Sequence, residues 1–306
     1  MTTLVVGRGL LGGAVYRLLG DSGREPQGVT VPWSDPDRAL SALNGAAADA
    51  AGRADGAWDL VWCAGAGVVA TSEEALDGEV ALLRSFLDGV DRPPRAMFLA
   101  SSAGGVYAGS SHPPFSESHD PRPASAYGAA KLATETAARA LAARGTRVAI
   151  GRYANVYGPD QDLGKPQGLV SQLCLGRVTG KPVRIYVSMD TLRDYVYVED
   201  AAAVAVAMLD RVAEEPESTV VVKIVASGVG TTVAELVSAS TRGFRRRLPV
   251  VQAVRGDAGQ VRDLRLRSRV WVDLDRLVRT PLVVGLRATA EGVAARHRAA
   301  RLVTPK

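Results

Sequence analysis

The chain has 306 residues, 47% hydrophobic and 23% charged, which excludes a disordered chain and gives length for a real core in one large domain or two small ones. It holds no run of eighteen apolar residues and no basic leader ahead of a long apolar stretch, so neither a membrane span nor a signal peptide is expected; two distant cysteines, Cys63 and Cys174, give no disulfide framework or metal spacing and fit a cytoplasmic protein. Net charge is +5, and from Thr241 onward about sixteen basic residues stand against about five acidic ones; with alanine and arginine enriched throughout and only 5% aromatics for base stacking, that surplus reads as a composition bias rather than nucleic-acid binding, and it would also serve a small anionic ligand.

From the N-terminus, "TTLVVG" reads as a strand and "LLGGAVYRLLGDSG" as a helix closed by Gly23. "GVTVPW" (28–33) reads as a second strand, "DPDRALSALNGAAADAAGRA" (35–54) as a helix, "DLVWCAGAG" (59–67) as a strand and "EEALDGEVALLRSFLDGV" (73–90) as a helix. "AMFLASS" (96–102) is a strand, "ASAYGAAKLATETAARALAA" (124–143) a helix, and "RVAIGRYANVYG" (147–158) begins with a strand. Short apolar strands alternating with helices predict βαβ units, hence an α/β fold with a Rossmann-type, doubly wound parallel sheet.

After Gly158 the pattern changes. "PDQDLGKPQG" (159–168) is loop-like, "LVSQLCLGRVTG" (169–180) helical and "PVRIYV" (182–187) a strand. "VEDAAAVAVAMLDRV" (198–212) is a helix with a cap expected near Glu199 or Asp200, "TVVVKIVAS" (219–227) a strand and "TTVAELVSAS" (231–240) a helix. The end reads as short strands mixed with arginine-rich turns. The expected layout is a dinucleotide-binding core over 1–158 and 183–228, with a smaller, interleaved C-terminal substrate-binding part over 159–182 and 229–306.

"LVVGRGLLGG" places Gly7, Gly9 and Gly12 in G-x-G-x-x-G spacing directly after the first strand and at the start of the first helix. The first glycine permits a tight turn, the second lets backbone approach a pyrophosphate, and the third lets helix and strand pack closely. Arg8, Leu10 and Leu11 share this cofactor loop. NAD-selective sites place an acid at the end of the second strand to hold the ribose 2′-hydroxyl. Here Trp33 stands at that place, followed by Ser34, and Asp35 comes two residues late. Arg8 is placed to meet a 2′-phosphate, with Ser34 and Arg38 as helpers, so a preference for NADP over NAD is expected; the alternative is a solvated Arg8, with Asp35 reaching the ribose.

Tyr127 and Lys131 are four residues apart, on one face of an otherwise small-residue helix. A free phenol has a pKa of about 10, and lowering it by about three units takes about 4 kcal/mol. A fixed ammonium together with the positive ring of an oxidised nicotinamide supplies such a field. A phenol so tuned can give or take the proton of a sugar hydroxyl while hydride moves. Ser101 and Ser102 end the preceding strand, where open α/β sheets place ligands.

"GRGLLG", "WCAGAG", "FLASSAGGVYAG", "YGAAK", "RYANVYGP" and "DTLRDYVYVED" follow one another in the order seen in the extended short-chain dehydrogenase/reductase family, which this sequence resembles along most of its length. That family comprises nucleotide-sugar epimerases, dehydratases and ketoreductases. The resemblance implies that Tyr127 is the general acid/base, that Lys131 binds the nicotinamide ribose and tunes Tyr127, and that Ser102 hydrogen-bonds the reacting oxygen. It implies cofactor contacts at Cys63, Ala64 and Gly65, substrate contacts at Ser102, Ala103 and Asn155, and a diphosphate clamp at Arg193, with one of Arg265, Arg267 and Arg269, Arg267 foremost, on the other phosphate side. Many members carry their serine or threonine at the place of Ala103, one residue after Ser102, so Ser101 stays a second candidate. Family 4,6-dehydratases follow that residue with an Asp-Glu pair; Ala103, Gly104 and Gly105 stand here, which argues against elimination of water.

The expected function is an NAD(P)-dependent oxidoreductase acting on a nucleoside-diphosphate sugar. A 4-ketoreductase stands first and a 4-epimerase with retained NAD second. A non-catalytic NAD(P)-sensing protein is the alternative from another class. The resemblance further implies a homodimer, built on the Tyr127 helix and "EEALDGEVALLRSFL". His112, His119 and His297 show no paired metal spacing, and the two serines lack a G-x-S-x-G elbow.

Overall fold

The structure is a computed structural model that describes residues 2–53, 57–65, 71–164, 168–245, 247–253 and 261–303, with side chains described to residue 299. The ends of two expected elements (residue 54 and residues 66–67), residues 165–167 of the expected loop, and residues 246, 254–260 and 304–306 of the chain's last part lie outside the described residues.

The first half alternates strand and helix: β1 (Thr3–Val6), α1 (Leu10–Asp21), β2 (Pro26–Gly28), α2 (Pro36–Arg53), β3 (Asp59–Trp62), α3 (Glu73–Gly89), β4 (Ala96–Ser102), the short α4 (Ala103–Tyr107), α5 (Ala126–Ala142) and β5 (Arg147–Tyr153). Then come β6 (Asn155–Tyr157), α6 (Leu169–Thr179), β7 (Val183–Ile185), β8 (Leu192–Arg193), β9 (Tyr195–Tyr197), α7 (Val198–Ala213) and β10 (Val220–Val225). The chain closes with β11 (Thr231–Thr232), α8 (Val233–Phe244), β12 (Val250–Gln252), a 3-10 turn at Val272–Leu277 and α9 (Leu282–Val303).

Six strands form one all-parallel sheet in the order β10-β5-β4-β3-β1-β2. Successive residues of a strand face opposite sides, so β1 sends Leu4 and Val6 to one core and Val5 to the other. The first core packs α2, α3 and α5 on the sheet, and the second packs α1 and α7. This is the expected doubly wound Rossmann-type α/β fold. The strand order reverses between β1 and β3, and ligands of such sheets bind beyond the strand ends at that point. A third core, with Leu173, Leu236 and Leu286, joins α6, α8 and α9. Among the described residues no helix is long and apolar enough to cross a membrane.

Four local readings are corrected. The second strand is Pro26–Gly28, pairing with Thr3, Leu4 and Val5, and not residues 28–33. Pairing to β1 fixes it there, although "PQG" has poor strand propensity and "VTV" a good one. The first turn of α7 does contain Glu199 and Asp200, but the capping residue is Tyr197; Asp200 instead accepts the N–H groups of Arg279 and Thr280 and so ties α7 to the segment entering α9. β7 pairs with β12, apart from the central sheet. Finally, α9 runs 22 residues where short strands and turns were expected. Its apolar positions Leu282, Leu286, Ala290 and Val293 have helical spacing, but Gly285 and Gly292 interrupt them; these glycines admit Tyr157 and Pro159 to the helix surface.

Candidate functional site

The glycine loop leaves β1 at the reversal point. Gly7 has φ +85°, and a Cβ there would lie 2.7 Å from the Cys63 carbonyl carbon and closer still to Ala64, so the loop and the end of β3 touch backbone to backbone. Gly9 caps α1 from open space, with nothing within 4 Å of where a Cβ would stand. Leu10 and Leu11 open the helix, whose first N–H groups have no intrahelical acceptor. Such a cradle fits an anionic group, so the residues present fit the pyrophosphate of a dinucleotide. Arg8 is exposed; its guanidinium carbon lies 5.3 Å from the centroid of the Tyr16 ring and 3.1 Å from where a Gly28 Cβ would stand, at the end of β2. Trp33 (49% exposed) and Ser34 lie beyond that strand end, and Asp35 is engaged in holding the Arg38 N–H at the start of α2.

Ser102 is the last residue of β4 and the N-cap of α4, its Oγ accepting the Gly105 N–H at 3.1 Å. Ser125 caps α5 in the same way, through the Gly128 N–H at 3.2 Å. A side chain on Gly128 would overlap the Gly105 carbonyl oxygen, so only glycine lets α4 and α5 meet this closely. The Tyr127 ring consequently lies against Gly105, its Cε1 3.0 Å from where a Cβ would be. Lys131 Nζ stands 5.7 Å from the centroid of the Tyr127 ring and 3.0 Å from the position of a Gly65 Cβ. The ammonium therefore reaches from α5 to the end of β3, beside the glycine loop. Burial pushes the Cys63 thiol up to about 12, with the Lys131 charge pulling the other way. The structure thus brings Gly7, Cys63, Ala64, Gly65, Lys131, Tyr127 and Ser102 to the C-terminal ends of neighbouring strands.

Beneath this group lies a network that sequence reasoning missed. Glu135 continues the face of Tyr127 and Lys131 by one more turn and is 2% exposed. Arg152 of β5 donates to it twice, at 2.9 and 2.7 Å; Ser101 Oγ donates to it at 2.6 Å; and Arg152 also donates to the Tyr107 hydroxyl at 2.6 Å. A single acid among the alanines of α5, four residues after Lys131, was the available signal. Ser101 is thereby buried and engaged, whereas Ser102 borders a small cavity of about 50 Å³ shared with Asn155, Tyr153 and Leu264. Ala103 is fully buried under Ser102 with Val106 and Phe115.

The substrate side is held by irregular backbone. Asn155 donates through both its N–H (3.0 Å) and its Nδ2 (2.8 Å) to the carbonyl of Asp194. Arg193 is partly buried, the one hydrogen bond of its side chain among the described residues runs to the Leu192 carbonyl at 2.8 Å, and desolvation lowers its pKa. Asp194 is 1% exposed; burial pushes its carboxyl up to about 6, against the hydrogen bonds it accepts from the Ser227 N–H and hydroxyl. Arg265 is paired with Asp263 at 2.8 Å, while Arg267 is exposed and its side chain has no polar partner among the described residues. The proline-rich loop before Tyr127 is stitched to this arginine segment: the Phe115 N–H donates to the Arg265 carbonyl, the Arg267 N–H donates to the Phe115 carbonyl, and Glu117 accepts from Ser268 Oγ and the Arg269 N–H.

Fold and loop together define a Rossmann-type protein of the extended short-chain dehydrogenase/reductase plan. The chain belongs to the NAD dependent epimerase/dehydratase family, whose sequence profile matches residues 4–222. It is 37% identical over 119 residues to a dTDP-L-rhamnose 4-epimerase of Burkholderia thailandensis, covering 38% of this chain and 32% of that one. It is 36% identical over 107 residues to a dTDP-4-dehydro-6-deoxyglucose reductase of Escherichia coli, covering 34% and 33%. The chain thus spans about a third of the length of these curated relatives. Among solved structures, the UDP-glucose 4-epimerase of Thermotoga maritima with UDP-glucose superposes with a TM-score of 0.80 at 23% identity, over 98% of this chain and 100% of that one. TunA, an NAD dependent NDP-hexosamine 5,6-dehydratase of tunicamycin biosynthesis, gives 0.74 at 20% identity, over 96% and 98%. At these identities the superpositions show the fold.

Proposed function

We propose that the protein is an NAD(P)-dependent oxidoreductase that reduces a 4-keto nucleoside-diphosphate sugar at C4. The observation that carries this reading is the meeting of Tyr127, Lys131 and Ser102 with the glycine loop at the reversal point of the sheet. The core over 1–158 and 183–228 would hold the dinucleotide, and 159–182 with 229–306 the sugar nucleotide; the pairing of β7 with β12 favours counting 183–185 with the second part.

Gly7, Arg8, Gly9, Leu10, Leu11 and Gly12 cradle the pyrophosphate, Cys63, Ala64 and Gly65 line its far side, and Trp33 and Ser34 flank the adenosine end. When bound, the nicotinamide cofactor supplies the hydride. Lys131 holds the ribose and keeps a positive charge near Tyr127. Tyr127 gives its proton to the oxygen on C4 as that carbon is reduced, and Ser102 donates a hydrogen bond to the same oxygen. Asn155, Arg193 and Arg267 hold the diphosphate, Arg193 supplying a partly buried charge that lacks a carboxylate hydrogen-bond partner among the described residues. Ala103, Gly104 and Gly105 offer no acid for elimination, so a 4,6-dehydratase is disfavoured. Arg8 at the end of β2 favours NADP over NAD.

The second reading, a 4-epimerase with retained NAD, is favoured by the named activity of the Burkholderia thailandensis relative. Incubating the protein with NADPH and a panel of nucleotide sugars and 4-keto nucleotide sugars separates the two. A reductase consumes NADPH in step with product; epimerisation without net cofactor oxidation replaces the first reading with the second. A homodimer through the outer faces of α3 and α5 is part of the proposal, and sedimentation velocity at twice the monomer mass is its check.

A further inference from the structure

A second cationic site lies away from the catalytic group. A groove of about 590 Å³ opens where the C-terminal ends of α6 and α8 meet the outer face of α9, and it shares no residue with the cavity beside Ser102. Arg177, Arg245, Arg287 and Arg298 line it, Phe244 contributes to its wall, and Glu291 is the one acid there. None of the four guanidinium groups has an ion pair or hydrogen bond among the described residues, although other basic side chains of the fold do pair with carboxylates, Arg211 with Asp273 and Arg265 with Asp263.

Two features show how local structure assembles this charge. A Cβ on Gly243 would lie 3.4 Å from the Val283 carbonyl oxygen and 3.5 Å from Arg287 Cγ; the missing side chain lets α8 and α9 cross closely and lays the Arg287 stem over the end of α8. Both α6 and α8 end in a left-handed residue. In α6 it is Gly180, the usual solution, with φ +73°. In α8 it is Arg245, with φ +51°, where a side chain costs free energy relative to glycine. Helix C-termini attract cations, which accounts for Arg177 in the last turn of α6. Arg287 and Arg298 belong to a third helix, α9, and bring two further charges to the same helix ends.

We propose that this groove binds a phosphate-bearing anion of nucleotide size, a nucleoside di- or triphosphate, at a site separate from the catalytic one. Arginine forks match phosphate oxygens in pairs, like charges gathered without counter-charge are relieved by a polyanion, and the volume suits such a ligand. Val178 and Ala290, both only partly buried, supply an apolar edge for its base, with Phe244 buried behind them.

The test is calorimetric titration of the full chain with inorganic pyrophosphate and with UDP, in an Arg193→Ala background that removes the partly buried arginine of the proposed catalytic clamp and so weakens it. Both are expected to bind at one equivalent, UDP the tighter. Adding Arg287→Met, which keeps the stem over Gly243, and Arg298→Gln is expected to weaken both at least tenfold. In the wild type, UDP is expected to protect Arg287 and Arg298 from phenylglyoxal, read by peptide mapping, which needs no variant to fold. Loss of all binding in Arg193→Ala, unchanged affinity after the α9 substitutions, or undiminished labelling of Arg287 and Arg298 under UDP would each overturn the site. UDP binding no tighter than pyrophosphate would overturn its nucleotide character. Failure of the C4 chemistry would show in turnover and leave these titrations unaffected.

Discussion

Ser102, Tyr127 and Lys131 stand on regular elements of the six-stranded core, whereas Asn155, Arg193 and Arg267 stand on strands of two or three residues and on loops. In the core, position follows from repeat geometry: a helix puts Tyr127, Lys131 and Glu135 on one face, and glycine contacts set its distance from α4. Backbone ladders hold that arrangement, and a buried ion pair pins it. In the second region, side chains do the holding. Asp194 clasps Ser227 and presents its carbonyl to Asn155; Glu117 joins β10 to the arginine segment; and fully buried Lys223 ties Ser268, the Val270 carbonyl and Asp275 together. A catalytic group needs a fixed angle, which a helix supplies. A phosphate clamp needs charge within reach, which a pinned loop supplies. The two regions are therefore expected to fail differently when cut.

The largest effect is expected in the core. Tyr127→Phe removes only the hydroxyl from a ring packed on Gly105, so the fold should persist while turnover falls about 10²- to 10⁴-fold, the usual size of a general acid contribution. Turnover unchanged in this variant would end the catalytic reading and favour a cofactor-sensing protein. Next comes Glu135→Gln. It leaves the Arg152 charge buried among Tyr107, Ser101 and an amide, and a buried pair broken from one side costs about 3 kcal/mol or more. Thermal melts should show that loss. If Glu135 also positions the face it shares with Tyr127 and Lys131, kcat should fall with KM for the sugar nucleotide nearly unchanged; a rise in KM alone would place its influence in the second region instead.

The loop-held region is expected to respond to pH. Asp194 lies fully inside, one carboxylate oxygen bonded to Ser227 and the other without a partner among the described residues. Its folded value of about 6 lies above the value of about 3.9 for a free aspartate, so the folded state holds the proton more tightly. Ionising it therefore costs stability: the penalty is absent below pH ~4, grows between ~4 and ~6, and is complete above. Between pH 5 and 7.5 it changes by about 1.4 kcal/mol. Asp194→Asn cannot titrate, so the melting temperature of the wild type relative to this variant should rise as pH falls from 7.5 to 5. A difference that stays flat with pH would show that the clasp around Asp194 is more solvated than its burial implies.

What the sequence disclosed follows the same division. The alternation of strands and helices, the glycine loop and the Tyr127–Lys131 spacing are local periodicities, so they were legible. The Glu135–Arg152–Ser101 network joins residues 17 and 34 positions apart, and no local pattern announces it. The second strand was misplaced because "PQG" is recognised by β1 and not by its own propensity. The final helix was missed because its two glycines, which look like breaks, are the places where Tyr157 and Pro159 pack. Arg193 could be singled out only by family resemblance, since nothing in "TLRDY" alone says that the guanidinium will be partly buried without a carboxylate hydrogen-bond partner among the described residues.

The misplaced strand bears on the smallest prediction. With β2 ending at Gly28, the residues that follow directly are Val29 and Thr30, neither an acid, and Asp35 is engaged at the start of α2. The charged group beside the strand end is Arg8, reaching across from the glycine loop. A 2′-phosphate placed there would meet a cation, and a bare 2′-hydroxyl would lack the usual carboxylate partner. Because Arg8 is exposed, its contribution is screened, and about 1 kcal/mol, or roughly fivefold in the ratio of affinities, is the expected size. Arg8→Ala should therefore weaken NADPH about fivefold while leaving NADH within experimental scatter, measured by quenching of protein fluorescence at low salt. The gap should narrow as salt is raised. Equal losses for both cofactors would mean that Arg8 serves the pyrophosphate they share, and the discrimination would then have to come from Trp33 and Ser34 beyond the strand end.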